Sequence, residues 1–321
     1  MPYAHTQMLA VRVTDDRLSG RQVQYRRLAF TLVELITVCC CISVLIAMSI
    51  PAIVRVRGLS DRLHCQNNMV SLSRAIHLYH TDYAKMPPRR AISPFNFPQD
   101  FLAPLSWRVH LMPYLEQSAL WESAVRACQS QRLSYMPPHD GYHQVFRVIQ
   151  CPSDSRLTEP INVEGIETAF TSYLGVLGDG LNQGMFSKKS NGDSISFSEV
   201  QDGLSNTLMI GERPPPADFH AGQWYSVYQR GSNPLLSGPD ISLTMQQRRF
   251  TQDDPCGGTY TFGRGSIFNP CDRFHFWSMH PNGSNFAYGD GSVHFIGYNV
   301  AQKVMFSMAT IRGGEIDVFG E

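Results

Sequence analysis

The sequence predicts an α+β protein: a long N-terminal helix, apolar enough in its first half to cross a membrane, packed through its second half on an antiparallel β-sheet. Three observations predict it. From Phe30 to Ile50 the chain reads FTLVELITVCCCISVLIAMSI, an apolar run whose one charge is Glu34. A stretch with helical spacing of apolar residues follows, from Leu59 to Tyr83. Beyond residue 85 glycine, proline and short alternating segments take over, the pattern of strands and turns.

Composition sets the outer bounds. With 43% hydrophobic and 17% charged residues, the chain has the apolar material for a core and too little charge for a disordered protein. Its formal net charge is zero, so nothing in it points to a nucleic-acid partner.

Residues 1–29 are polar and carry Arg12, Arg17, Arg21, Arg26 and Arg27 against Asp15 and Asp16. Positive charge just before an apolar run places the N-terminus in the cytoplasm, with one span at 30–50 and the rest of the chain outside the inner membrane, periplasmic or extracellular. At about 1.5 Å per residue the run covers roughly 30 Å, one bilayer core. An ionised carboxylate there costs about 2.5–3.5 kcal/mol even on the lenient insertion scale, so Glu34 calls for a partner. The Arg26-Arg27 pair also suits a twin-arginine signal, but Glu34 and the lack of an A-x-A site argue against that reading.

The helix continues through 51–85. Leu59, Leu63, Met69, Leu72, Ile76, Tyr79 and Tyr83 form its expected inner face, and Gln66, Asn67, Ser73 and Asp82 its polar face. Met86-Pro87-Pro88 stops it. The result is one helix of about 80 Å with a kink expected at Pro51. His77 and His80 read as exposed polar residues rather than ligands.

The exported part, 86–321, starts irregular. A helix is expected from Pro113 to Cys128, with Leu115, Ala119, Val125 and Cys128 on one face and Pro113 in the first turn. Short strands are expected at Arg147–Cys151, Thr171–Leu177, Thr207–Glu212 and Gln223–Tyr228. SNFAYGDGSVHFIG reads as a hairpin, with Gly289, Asp290 and Gly291 supplying positive φ at the turn. A last helix runs from Val300 to Ile311, with Val304, Met308 and Ile311 inward, and Gly313-Gly314 ends it.

Of the eight cysteines, Cys39, Cys40 and Cys41 lie in the apolar run. Among the other five, Cys256 and Cys271 flank a glycine-rich loop and make one expected disulfide; Cys65 with Cys151 makes a second. An odd number leaves at least one thiol free or paired between chains. No C-x-x-C occurs, which argues against a zinc ribbon.

Chemistry is sparse. His275, His280, His294 and Asp290 gather late in the sequence, as a metal hydrolase would need. No G-x-S-x-G, H-E-x-x-H or P-loop pattern accompanies them, so no catalytic residue, enzyme activity, metal centre or cofactor is expected. Asp179, Asn182, Asp202, Asn206, Asn282 and Asp290 sit in turns, where oxygen ligands can hold calcium, but ordinary Asx turns explain them without an ion.

Basic residues, a small residue and then FTLVEL resemble the cleavage and methylation signal of type IV prepilins and type II secretion pseudopilins. The resemblance implies a prepilin-peptidase cut between Ala29 and Phe30, methylation of Phe30, and Glu34 as the family's glutamate. Ala29 stands where that family usually has glycine. It further implies a pilin-like fold and assembly with other pilin-like subunits. Glu34 would pair with a neighbour's new α-amino group, giving a homo- or hetero-oligomer through the N-terminal helix.

A second set of phrases, in order, is CQNN…YH…MPP, SWRVHLMPYLEQ, CPSD, SYLG, DGLSNTLMIGE and HPNGSNFAYGDGSVHFI. Together they resemble prepilin-like proteins with domain of unknown function 1559. In the last phrase His280, nine residues and Asp290-Gly291 fit that family's H-x9-DG signature. The function expected is therefore a membrane-anchored, structural subunit of a type II secretion or pilus-like assembly. The alternative is an anchored exported protein that recognises an extracellular polymer through Trp224, Tyr225, Tyr228 and Trp277.

Overall fold

The computed structural model describes residues 31–89, 102, 105–131, 133–180, 183–188, 193–226, 242–249 and 255–313. Ala29, Phe30, Asn182, Tyr228 and Gly314 lie outside them. The chain divides into two units, Met1–Ile53 and Val54–Glu321.

The first unit holds the start of α1, Leu32–Tyr83, which runs unbroken through Pro51. Its N-terminus closes as a capping box. Glu34 N donates to Thr31 Oγ1 at 3.3 Å, and Thr31 N donates to Glu34 Oε2 at 2.9 Å. Leu32, Val33, Leu35, Ile36, Val38, Ile42, Val44, Leu45, Ile46, Met48 and Ile50 are all exposed. By length and composition α1 can cross a membrane, and its most apolar window has no buried residue.

In the second unit α1 buries Cys65, Met69, Leu72, Ile76 and Tyr79, alternate steps of four and three that keep one stripe facing inward. The stripe is narrower than the periodicity suggested. Leu59, Leu63 and Tyr83 are exposed; Leu59 and Leu63 fall one residue off the register that leads into Cys65, and Tyr83 ends the helix. Ser73, expected on the polar face, is fully buried and satisfies its hydroxyl on Met69 O at 2.8 Å. Past Tyr83 the chain turns at Ala84, φ +54°, whose N–H returns to His80 O.

The segment expected as one helix from Pro113 is two elements. A 3-10 helix, Val109–Leu115, contains Pro113 and ends at Glu116 with φ +59°. Then α2, Ser118–Ser130, buries Leu120, Ala124, Ala127 and Cys128. Glu116 in the left-handed region breaks the helical path, which shifts the buried face away from Ala119 and Val125.

A small hairpin of β1, Ile161–Val163, and β2, Ile166–Thr168, precedes the main sheet. That sheet is built from β3, Tyr173–Val176; β4, Leu208–Glu212; β5, Ser242–Leu243; β8, Gly283–Tyr288; and β9, Val293–Gly297. Its order is β5-β3-β4-β8-β9, antiparallel except for the parallel β3–β5 pair. A separate ribbon joins β6, Gln246–Arg249, to β7, Gly258–Thr261. The last helix, α3, covers Gln302–Ala309 and buries Met305, Met308 and Ala309; Val304 is only half-buried.

In the second unit the sheet lies between two apolar cores, its faces set by strand alternation with a register shift between Leu208 and Ile210. Tyr173, Met209, Ile210 and Ala287 face a core shared with Met69, Leu72, Ile76 and Tyr79 of α1 and with Leu120 and Ala124 of α2. Leu174, Val176, Leu208 and Phe286 face a second core with Met305, Met308, Phe262 and Phe276. At Gly211 a Cβ would stand 2.6 Å from the rings of Phe276 and Phe286, so the side chain must be absent there.

Two expected strands are not strands. Arg147–Ile149 is a 3-10 turn, because Ile149 O is taken by Ser172 N and Thr171 Oγ1 rather than by a ladder. Gln223 and Ser226 make only isolated bridges, to Phe170 and Leu105. At the β8–β9 turn Gly291 alone has positive φ, +89°. Gly289 is needed for space instead, with Met185 Sδ 2.9 Å from where its Cβ would be.

Candidate functional site

Four of the phrases singled out in the sequence converge on one buried cluster. Cys65 comes from α1 and Cys151 from the turn after Arg147–Ile149, and the two form a disulfide with Cα atoms 5.3 Å apart. Glu212 is the last residue of β4, and His280 lies in the turn before β8. All four are buried, and one ligand atom from each lies within 4.8 Å of every other.

Each side chain is held from a different element. Cys151 N donates to Ser172 Oγ at 3.0 Å. The loop beyond it is fixed by Asp154, which caps the next turn and pairs with Arg156 at 2.6 Å. His280 N donates to Ser278 Oγ at 3.0 Å, and Ser278 Oγ donates to Gly283 O at 2.7 Å. These bonds set the ring edge-on to the cluster: Nε2 is 3.5 Å from Cys151 Sγ and 3.4 Å from Glu212 Oε1, while Nδ1 faces Ser153 Oγ at 3.5 Å.

The Glu212 carboxylate is 1% exposed, a costly place for a charge. Its donors offset that cost. Asn285 N at 2.7 Å and Ser284 Oγ at 3.2 Å reach Oε2, and Asn285 Nδ2 at 3.1 Å reaches Oε1. Each hydrogen bond to a charged group is worth about 1.5–3 kcal/mol. Tyr173 lies in the same region with Asn68 Nδ2 3.5 Å from its hydroxyl. Burial first, then the Glu212 charge, pushes the Tyr173 hydroxyl well up.

His280 and Asp290 do not meet: they flank β8 at its two ends. Asp290 is exposed and spends Oδ1 on Ser292 N and Oγ at 2.9 and 2.7 Å. The adjoining Gly289 O accepts from His77 Nε2 of α1 at 3.0 Å. The spacing in H-x9-DG therefore measures out one strand. Its first residue sits against the disulfide and its last two form the turn beside the helix.

The remaining expected site residues are placed as follows. Cys256 and Cys271 form the second disulfide, and Cys128 is buried and belongs to neither bridge. Asp179 accepts from Gly180 N at 2.6 Å within its own turn, while Asp202 accepts from the distant Gly313 N at 2.7 Å and Asn282 from Arg264 Nη2 at 3.4 Å. Among the described residues Asp179 and Asp202 belong to no group of three or more His, Cys, Asp or Glu side chains able to hold a metal ion. His275 pairs with Asp272 at 3.2 Å, and His294 stands edge-on to Tyr288 on β9. Trp224, Tyr225 and Trp277 are core residues, so they offer no aromatic platform to a polymer. An aromatic cavity does open elsewhere, about 580 Å³ and lined by Tyr79, Tyr83, His110, Tyr114 and Trp121 among others.

Glu212 was missed in the sequence, where a lone acid ending a strand carries no signal of its own. Its place in the phrase DGLSNTLMIGE was the available hint. Thr31 was missed too, although T-x-x-E before an apolar run is the capping-box pattern.

A family profile described as "Protein of unknown function (DUF1559)" matches residues 60–303. No curated protein and no solved structure matches the chain.

Proposed function

We propose, for a chain that belongs to the DUF1559 family, the role of a membrane-anchored structural subunit in a type II secretion or pilus-like assembly, without catalytic activity. The observation that carries this reading is the first half of α1. Its large apolar side chains are exposed all round the helix, and among the described residues nothing covers them. Lipid and neighbouring helices supply that cover in a single span of the inner membrane, with the N-terminus cytoplasmic and the C-terminal part exported.

Prepilin-peptidase cleavage between Ala29 and Phe30 gives each subunit a methylated α-amino group. Glu34 then pairs across to that group on a neighbour. In a single chain Glu34 instead closes the capping box on Thr31, and this local bond offers a purely structural use for the same residue. Glutamine separates the two, because it closes a capping box but carries no charge.

The experiment is chemical cross-linking in native membranes, with the N-terminal peptide mass read on the same preparation. Glu34→Ala and Glu34→Gln are both expected to abolish cross-links to pilin-like subunits, and the wild type to begin at methylated Phe30. Full cross-linking in Glu34→Gln would leave only the cap. The alternative, an anchored protein that binds an extracellular polymer, now rests on the Tyr79–Trp121 cavity. It predicts no subunit cross-links in the wild type.

A further inference from the structure

The geometry points to a second state of the buried cluster: with the Cys65–Cys151 disulfide reduced, Cys65, Cys151, Glu212 and His280 form a closed, tetrahedral zinc site. Two thiolates, an imidazole and a carboxylate are a ligand set that zinc takes, with bonds of about 2.3 Å to sulfur and about 2.0–2.2 Å to nitrogen and oxygen. A tetrahedron with those bonds separates its ligand atoms by roughly 3.3–3.8 Å. His280 Nε2 is already 3.4 Å from Glu212 Oε1 and 3.5 Å from Cys151 Sγ. The sulfurs then need to part by roughly 1.7 Å, from a bond of about 2.0 Å to ligand contact.

The surroundings match those of a metal ligand set. A zinc-bound imidazole presents one nitrogen to the ion and donates from the other to an oxygen. His280 does this with Nε2 toward the cluster and Nδ1 toward Ser153 Oγ. Ligating carboxylates are likewise fixed by outer hydrogen bonds, here from Asn285 and Ser284. A disulfide alone needs neither a buried acid nor an oriented imidazole beside it. All four positions come from the chain itself and none is left open, so the site is structural rather than catalytic.

The exchange balances with an external dithiol as the reductant. A dithiol reductant gives two electrons and two protons to the Sγ–Sγ bond, leaving two cysteine thiols and its own disulfide. Zn²⁺ then displaces the two thiol protons, and His280 binds through its Nε2 lone pair with the ring proton on Nδ1. The ion offsets two of the three ligand charges, and the hydrogen bonds from Asn285 and Ser284 to Glu212 help hold the remaining one.

Cobalt(II) is the probe, because a tetrahedral thiolate site gives it strong visible bands and a near-ultraviolet sulfur charge-transfer band. Full-length protein in detergent is reduced by a phosphine in mild denaturant and returned to buffer without oxygen. One cobalt per chain with tetrahedral bands is expected, displaced by zinc, with no binding to the oxidised protein. Glu212→Gln and His280→Ala should each weaken binding by about a hundredfold or more, and Cys128→Ser should change nothing. Circular dichroism shows whether each reduced variant is folded. Reduced protein that folds only when metal is added also supports the site. A reduced protein that takes up no cobalt, folded or not, overturns it, as does unchanged affinity in both variants.

Discussion

His80 shows what a single position on α1 does once its partners are known. Its ring stacks on Phe197, centroids 4.0 Å apart, and its Nε2 accepts from Phe197 N at 3.1 Å. Desolvation, and then the neighbouring His77, hold its pKa below the usual value of about 6.5. The unfolded chain therefore binds the proton that the folded chain refuses. Stability is full above about pH 6.5 and falls as the pH drops through that value. His139, buried against Gln131 O and the Tyr225 hydroxyl, shifts the same way through desolvation. The drop in melting temperature from about pH 7.5 to 5.5 should shrink in His80→Asn, with His139 carrying the remainder. An unchanged drop would mean that His80 binds its proton equally in the folded and unfolded states. Sequence reasoning took His77 and His80 as exposed, because their partners Gly289 and Phe197 lie far along the chain.

At the scale of the element, α1 sorts its apolar residues by helical register. Met69 and Leu72 are fully buried, whereas Leu63, two residues before Cys65 and off the four-three stripe, is about half exposed. Met69→Ala and Leu72→Ala should each cost about 2–5 kcal/mol, and Leu63→Ala less than about 0.5 kcal/mol, in denaturant unfolding. Equal costs would mean that Leu63 packs in solution. The strands β3, β4, β8 and β9 were legible because alternation and a GDG turn mark them plainly. β5 is two residues long and β6 reads QQRR, so neither carries an apolar period to find. The helix expected from Pro113 failed at Glu116, whose left-handed backbone no residue type announces.

For the whole molecule, two cross-links of different reach decide how much chain entropy remains after unfolding. Cys65–Cys151 closes a separation of 86 residues and Cys256–Cys271 one of 15. On the loop-entropy account these are worth about 4.6 and about 3 kcal/mol. Metal-free protein with the first bridge removed as Cys65→Ser/Cys151→Ser should lose more stability than Cys256→Ser/Cys271→Ser, read as the shift in denaturant midpoint. The reverse order would place the main constraint in the C-terminal loop. Both pairings were legible as sequence guesses. The cluster around the first was only half legible, since Cys65, Cys151 and His280 stood out in their phrases while Glu212 did not.

The position of Cys65 also has a mechanical meaning. It is the first residue of the buried stripe on α1, ahead of Met69, Leu72, Ile76 and Tyr79. Tension applied from the N-terminal, apolar end of the helix meets the covalent link to Cys151 before it meets any of those contacts. The non-covalent stripe behind the link is thus out of the load path, and the helix cannot be peeled from the sheet one turn at a time. A chain pulled by that end would yield only when a sulfur–sulfur bond or the fold around residue 151 gives way.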